Sequence, residues 1–320
     1  MNKIVVRNFA YFIVGMLLSL CNVKVIAQDS GHFIRPIKPI EKLTSIQRHQ
    51  VNLGKVLFED VNLSENKQMA CISCHLPEKG YADGLPFSKD NAGKDKVYNT
   101  PSISYSIYNY HVSWTGRFKS LEEHLDFLIT NKTLMNRKWP SLIAQLKGNS
   151  EYQSLFTLAG YNEISKSTVI DAIIKFEANL AKPSRFDLYL LGDRTKLNSA
   201  EIAGFNLFKS AGCVSCHQGI NLGGNLRQKF GVIKPYFPEQ EINTRDLGYF
   251  NSSGKSEDIN FFRVPSLRNV TKTAPYFHDA SAPTLEKAIQ VMFTYQLGID
   301  ATEEDIESIK AFLATLEAIE

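Results

Sequence analysis

Five stretches of the 320-residue chain repeat apolar residues at helical spacing: SLEEHLDFLI (120–129), WPSLIAQLKG (139–148), TVIDAIIKFEANLA (168–181), TLEKAIQVMFTYQLG (284–298) and TEEDIESIKAFLATLEAI (302–319). The last opens on an N-cap, Thr302, with Asp305 three residues on, and aligns Ile306, Ile309, Leu313 and Leu316 on one face. Thr44 and Ser199 read as N-caps of two further helices, which lead toward residues 71 and 213. No run of strand-like alternation stands out, so the pattern predicts an all-α fold. NSSGKSED (251–258) has no periodicity and reads as an exposed polar loop.

The two capped segments resemble each other. QVNLGKVLFED and EIAGFNLFKSAG share a Gly-x-x-Leu-Phe core, at Gly54–Phe58 and Gly204–Phe208. Such self-similarity implies a duplicated unit. Cys71 follows Gly54 by 17 residues and Cys213 follows Gly204 by 9, so the first copy carries an insertion. Length also favours two domains, expected over 28–165 and 166–320 and joined near residues 165 to 190.

The first 27 residues differ from the rest. A basic start (MNKIVVRN), an apolar run (AYFIVGMLLSLC) and a small residue, Ala27, make a secretory signal peptide over 1–27. Leu20 is a poor residue before a lipidated cysteine, which argues against an anchor at Cys21. The expected location is the periplasm. A net charge of +3 without a Lys/Arg-rich run argues against a nucleic-acid partner.

Removal of the signal leaves four cysteines, all in two five-residue motifs: CISCH (71–75) and CVSCH (213–217). Two disulfides, a zinc site or a thioredoxin-like redox pair would each use paired cysteines. None of them accounts for a histidine directly after each pair. Covalent haem attachment does: Cys71 and Cys74, then Cys213 and Cys216, form thioethers to two c-type haems. His75 and His217 supply the proximal imidazoles. For a second axial ligand the mature chain offers Met69, Met135 and Met292. Met69 is too close to Cys71 to reach the opposite ring face. Met292 stands well downstream of His217, where either a ligand or a core methionine in the Leu285–Ile289–Met292 stripe fits.

From about residue 40 onward the chain resembles bacterial di-haem cytochrome c peroxidases and their MauG-like relatives. LGKVLFED, NTPS (99–102), WTGR (114–117), SRFDLYLLGD (184–193), CVSCHQGINLGG (213–224), VPSLRNVTKTAPYFHDAS (264–281) and MFTYQLG (292–298) carry the resemblance. It implies two cytochrome c-like domains, each with one covalently bound c-type haem. Met292 would ligate the electron-transfer haem of His217, and the His75 haem would be peroxidatic. Trp114 would stand between the haems and His278 would bond a propionate. Asn99, with the carbonyls of Thr273 and Pro275, would hold a calcium ion. The implied reaction reduces hydrogen peroxide to water with electrons from a small donor protein, a monohaem cytochrome c or a cupredoxin. The implied assembly is a homodimer. In MauG a tyrosine takes the place of Met292, so Met292 favours the peroxidase branch over a MauG-like enzyme oxidising Trp or Tyr of a partner protein. A non-catalytic di-haem electron carrier is the third reading.

The chain departs from that family on the peroxidatic side. Asn91 stands where many members hold a reversible distal histidine, so this resemblance implies a His75 haem without that switch. The family's proton-relay Glu, its Gln and its packing Phe fall on Leu134, His124 and Ser113. His124 is the expected substitute relay, with Glu123 or Glu122 as a second carboxylate choice. His111 is expected to border the same pocket.

Overall fold

The helix that leads to Cys71 begins where its sequence places it. Thr44 Oγ1 accepts the Gln47 N–H at 3.2 Å and Gln47 Oε1 accepts the Thr44 N–H at 2.8 Å, closing a capping box. A computed structural model describes residues 34–39, 43–238 and 246–319. The signal peptide over 1–27, with Ala27 and Cys21, lies outside the described residues. In chain order the helices are α1 (Ser45–Glu59), α2 (Leu121–Thr130), α3 (Trp139–Lys147), α4 (Ser150–Leu158), α5 (Lys166–Leu180), α6 (Arg185–Leu190), α7 (Ser199–Ser210), α8 (Phe250–Ser253), α9 (Leu285–Val291) and α10 (Glu303–Ala314). Strands β1 (Arg227–Lys229) and β2 (Phe261–Arg263) pair antiparallel, with Arg227 opposite Arg263. Three residues each are too few to leave an alternation in the sequence. The fold is helix-rich, and among the described residues no helix is long and apolar enough to cross a membrane.

Several expectations change at element ends. The cap of α7 is Asn198, not Ser199: its Oδ1 accepts the Glu201 N–H at 2.9 Å and Glu201 Oε2 accepts the Asn198 N–H at 2.9 Å. Thr302 caps α10 with Asp305 as expected. The stretch 284–298 does not stay α-helical: beyond Val291 it widens into a π-helix over Met292–Leu297, closed by Gly298. The polar stretch 251–258 is largely exposed, yet its start completes the short helix α8.

Two apolar cores organise the described residues, which belong to one compact unit. The first joins Leu53 and Leu57 of α1 to Leu125 of α2, Leu142 of α3, Phe156 of α4 and Ile173 of α5. The second gathers Phe186, Phe208, Ile289, Phe293 and Phe312. Helix α5 therefore packs into the first core, although it follows residue 165 in sequence. An amphipathic stripe shows that a helix will be buried, but not against which partner.

Beside the second core Asp187 and Arg268, both fully buried, bond each other twice at 2.8 Å. Asp187 Oδ1 also accepts the Ile37 N–H at 2.8 Å, and Oδ2 accepts the Ser184 N–H at 2.7 Å. Every charge in this network has a partner, which is the condition for burying it.

The duplicated Gly-x-x-Leu-Phe core has a steric cause. α1 crosses α5 at Gly54, where a Cβ would fall 1.9 Å from the Ala172 carbonyl oxygen. α7 crosses α10 at Gly204, where a Cβ would fall 1.9 Å from the Ser308 oxygen. One turn on, Phe176 and Phe312 close the two contacts. Either glycine replaced by alanine must push its helix pair apart. Gly54→Ala and Gly204→Ala are each expected to cost about 3 kcal/mol or more, read as a lower thermal midpoint of the protein, while Gly148→Ala, where φ is −76° and the added atom meets nothing nearer than 3.4 Å, leaves the midpoint within a degree or two.

Candidate active site

Both cysteine motifs fold into the same turn at the same place relative to their helix pair. Cys71–Ser73 and Cys213–Ser215 are single 3₁₀ turns. The N–H of His75 reaches Cys71 O at 3.0 Å, and that of His217 reaches Cys213 O at 2.9 Å. Each imidazole is fixed from the backbone: His75 Nδ1 bonds Tyr81 O at 2.9 Å and His217 Nδ1 bonds Leu222 O at 3.1 Å. A carbonyl only accepts, so Nδ1 carries the proton and Nε2 keeps its lone pair. Burial lowers the pKa of both rings, that of His217 to about 4. Both are neutral ligands at working pH.

The cysteines behave as buried thiols. Burial, with Glu177 and then Cys74 adding, pushes Cys71 up to about 12, and burial pushes Cys213 up to about 11. Neither pair is a disulfide. Among the described residues no group of three or more His, Cys, Asp or Glu side chains is assembled for a bare metal ion. This disfavours a shared zinc–thiolate centre and fits thiols bound to an organic group.

Beside His217 opens an apolar cavity of about 240 Å³. Phe208 of α7, Ile289 of α9, Leu313 of α10, Cys213, Cys216 and Met292 stand in its wall. Met292, where the π-helix starts, keeps helical dihedrals and lines this cavity together with Leu285 and Ile289 of α9. Arg263 lines the same cavity while 5% exposed. Its Nε donates to Ser113 O at 2.9 Å, and among the described residues no carboxylate pairs with it. Burial alone brings its pKa down to about 10. A buried guanidinium facing an apolar cavity calls for an anion, and a haem propionate has that chemistry.

Trp114, His278, Asn99, Thr273 and Pro275 also line this cavity, so the structure brings together residues far apart in sequence. Trp114 Nε1 donates to Asn99 O at 2.7 Å, and the Asn99 N–H donates to His278 O at 2.8 Å. His278 is buried, its ring 4.0 Å from Phe262 and 6.4 Å from Trp114 between centroids. Asn99 Nδ2 donates to Leu85 O at 2.7 Å, which leaves Oδ1 as the carboxamide's acceptor.

On the other side, His75 packs 6.4 Å from Phe58. At the nearby His124 burial, then His75, Arg117 and Arg263, hold the pKa at about 3. His124 also stacks 4.9 Å from Phe118. Glu123 does not share this placement and is corrected as a candidate relay. It is exposed, one residue round the helix, and its carboxylate accepts the Lys119 N–H at 3.0 Å. Glu122 is exposed too. Ser113 Oγ bonds Thr115 Oγ1 at 3.3 Å. His111 faces Arg227 and Arg263, and its buried Nδ1 has no hydrogen-bond partner.

The two departures from the family adjoin. Asn91 Nδ2 donates to Lys132 O at 2.8 Å and its N–H to Thr133 O at 3.1 Å, which pins its loop to the turn that carries Leu134. Sequence reasoning missed Arg263, Tyr81 and Leu222. The last two act through main-chain oxygens, which leave no residue signature. Arg263, between Phe262 and Val264 in an apolar stretch, was the readable one.

A model of the di-haem cytochrome c peroxidase family matches residues 48–195. The chain is 36% identical to the cytochrome c551 peroxidase of Nitrosomonas europaea over 283 residues, covering 88% of this chain and 84% of that one. It is 35% identical to the cytochrome c551 peroxidase of Pseudomonas aeruginosa over 278 residues, 85% of this chain and 79% of that one. The solved structure of a MauG-like protein associated with microbial copper homeostasis matches with a TM-score of 0.75 at 27% identity, over 90% of this chain and 94% of the other. Paired CxxCH turns on a repeated helix crossing and identity that runs across most of both peroxidases lead to one conclusion: the chain belongs to the bacterial di-haem cytochrome c peroxidase family.

Proposed function

We propose that the chain forms two cytochrome c-like units, each with one covalent c-type haem, and reduces hydrogen peroxide to water in the periplasm. Electrons come from a small redox protein, a monohaem cytochrome c or a cupredoxin. A second copy of the chain completes a dimer, as the family implies. The asymmetry of the two histidine sites carries the reading: Met292 shares a cavity with His217, whereas the electrostatic neighbour of His75 is a neutral, half-buried imidazole.

When bound, the haems supply electron storage and the reduction of peroxide, and the protein supplies ligation, insulation and proton handling. Cys71, Cys74 and His75 hold one haem; Cys213, Cys216, His217 and Met292 hold the other. Met292 would help hold the second haem with a thioether sulfur, a donor that raises potential and would suit this haem to receive electrons. Trp114 relays them between the two sites. Arg263 and His278 neutralise propionate charge in the shared cavity. Calcium held by Asn99, Thr273 and Pro275 would brace the wall that also carries Trp114.

His124 takes the relay role left by Leu134. Its neutral ring can accept a proton from peroxide and return it, although a base held at about 3 is weaker than the pH-matched optimum. Glu123 points elsewhere and Ser113 is occupied with Thr115. With Asn91 in place of the reversible histidine, the His75 haem keeps one open face without reductive activation.

Four outcomes test this reading. Electron paramagnetic resonance of the fully oxidised protein should show one high-spin and one low-spin haem, and two low-spin signals would refute an open site. Met292→Ala should convert the low-spin signal to high-spin and lower that haem's potential, with both haems still attached by mass. His124→Leu should lower peroxide turnover by about a hundredfold or more. Because the His124 pKa lies far below the ordinary 6.5, the ring stays unprotonated as pH falls from about 7 to about 5. The wild-type rate should therefore show no acid limb from this group there, and a limb near the ordinary histidine value that vanishes in His124→Gln would contradict its half-buried, neutral placement.

A further inference from the structure

Among the described residues three tyrosines bond carboxylates: Tyr152 to Asp60, Tyr161 to Asp171 at 2.6 Å, and Tyr98 to Asp246 at 2.5 Å. Only Tyr98 stands in the aromatic chain around Trp114. Its ring centroid lies 6.3 Å from His278, whose ring lies 6.4 Å from Trp114. Both separations fall within the range of aromatic contact. A second connection runs through hydrogen bond and main chain. Trp114 Nε1 donates to the carbonyl of Asn99, the residue that follows Tyr98.

The acceptor is set up for a proton. Asp246 Oδ2 takes the Tyr98 hydroxyl together with Asn251 Nδ2 at 2.6 Å, and Oδ1 takes the Gly248 N–H at 2.7 Å. Tyr98 is half-buried and its hydroxyl is the donor to Asp246, so the phenol holds its proton at rest. A phenol that loses an electron becomes a strong acid. A carboxylate at 2.5 Å lets the proton leave in the same event, which removes the cost of forming a charged radical in a half-buried place.

We propose that Tyr98 is an oxidisable residue of this enzyme, giving one electron by way of Trp114 to the peroxide-oxidised haem pair when donor protein is exhausted. The phenolic O–H bond breaks, its proton forms a new O–H bond on Asp246 Oδ2, and a neutral phenoxyl radical remains on Tyr98. The haem pair is reduced by one electron, and hydrogen peroxide is the oxidant that created the demand. The inference rests on the peroxidase reading. It differs from that reading in placing an oxidising equivalent on a side chain at the edge of the fold.

The test uses the di-haem holoprotein labelled with ring-deuterated tyrosine, mixed with hydrogen peroxide without donor and freeze-quenched for electron paramagnetic resonance, with the Soret band followed in parallel. An organic radical whose hyperfine structure narrows with the label is expected. It should be lost in Tyr98→Phe, reduced in yield in Asp246→Asn and retained in Tyr161→Phe, each variant showing the wild-type Soret response. A tyrosine radical that survives Tyr98→Phe overturns the proposal, as does a wild-type Soret response with no tyrosine radical. A Soret band indifferent to peroxide overturns the peroxidase reading and this proposal with it.

Discussion

Two helix crossings too tight for any side chain hold this molecule in register. At Gly54 and Gly204 the partner helix presents a carbonyl oxygen where a methyl group would otherwise stand. Each crossing fixes the end of a helix, α1 or α7, from which the chain turns into a cysteine motif. The 3₁₀ turn, the buried histidine and its carbonyl anchor follow in both copies, although the linking segments differ in length. The insertion between Gly54 and Cys71 is absorbed outside this frame. What the frame cannot tolerate is bulk at the crossing, since displacing a helix moves both cysteines and the ring together.

On equivalent foundations the opposite sides diverge. Near His217 the α9 helix widens by one hydrogen-bonding step and offers Met292 to an apolar cavity. Near His75 the helix α2 offers His124, backed by Phe118 and Phe127 and by the Arg117 guanidinium over both rings. One site gains a soft thioether and excludes small molecules. The other gains a nitrogen base in a poorly solvated place. A duplicated scaffold thus acquires two functions by changing what faces each ring, without changing what grips it.

Much of this was legible in the sequence because the signals are local. CISCH and CVSCH needed no tertiary knowledge, and the shared glycine core announced the repeat. Failures came where a decision depends on a partner. Helix α5 has an unmistakable apolar stripe, yet only the structure shows it packed on α1. Glu123 and His124 are adjacent in sequence but about 100° apart around a helix, and that rotation separates an exposed cap from a half-buried base. The π-helical turn has no residue signature, so Met292 read equally as core or ligand until its surroundings were seen. Arg263 went unremarked because one cation in an apolar run looks incidental until the cavity beside it is visible.

The anchors of His75 and His217 are peptide oxygens of Tyr81 and Leu222. No point substitution can delete a peptide oxygen, so the electron push that each imidazole delivers is shielded from mutational drift. Where other proteins adjust such a ligand by exchanging an aspartate for an asparagine behind it, that dial is missing here. Descendants of this chain must tune their redox behaviour from the far side of the ring or through the charge around it, and the rear of each site is free to remain constant while the front evolves.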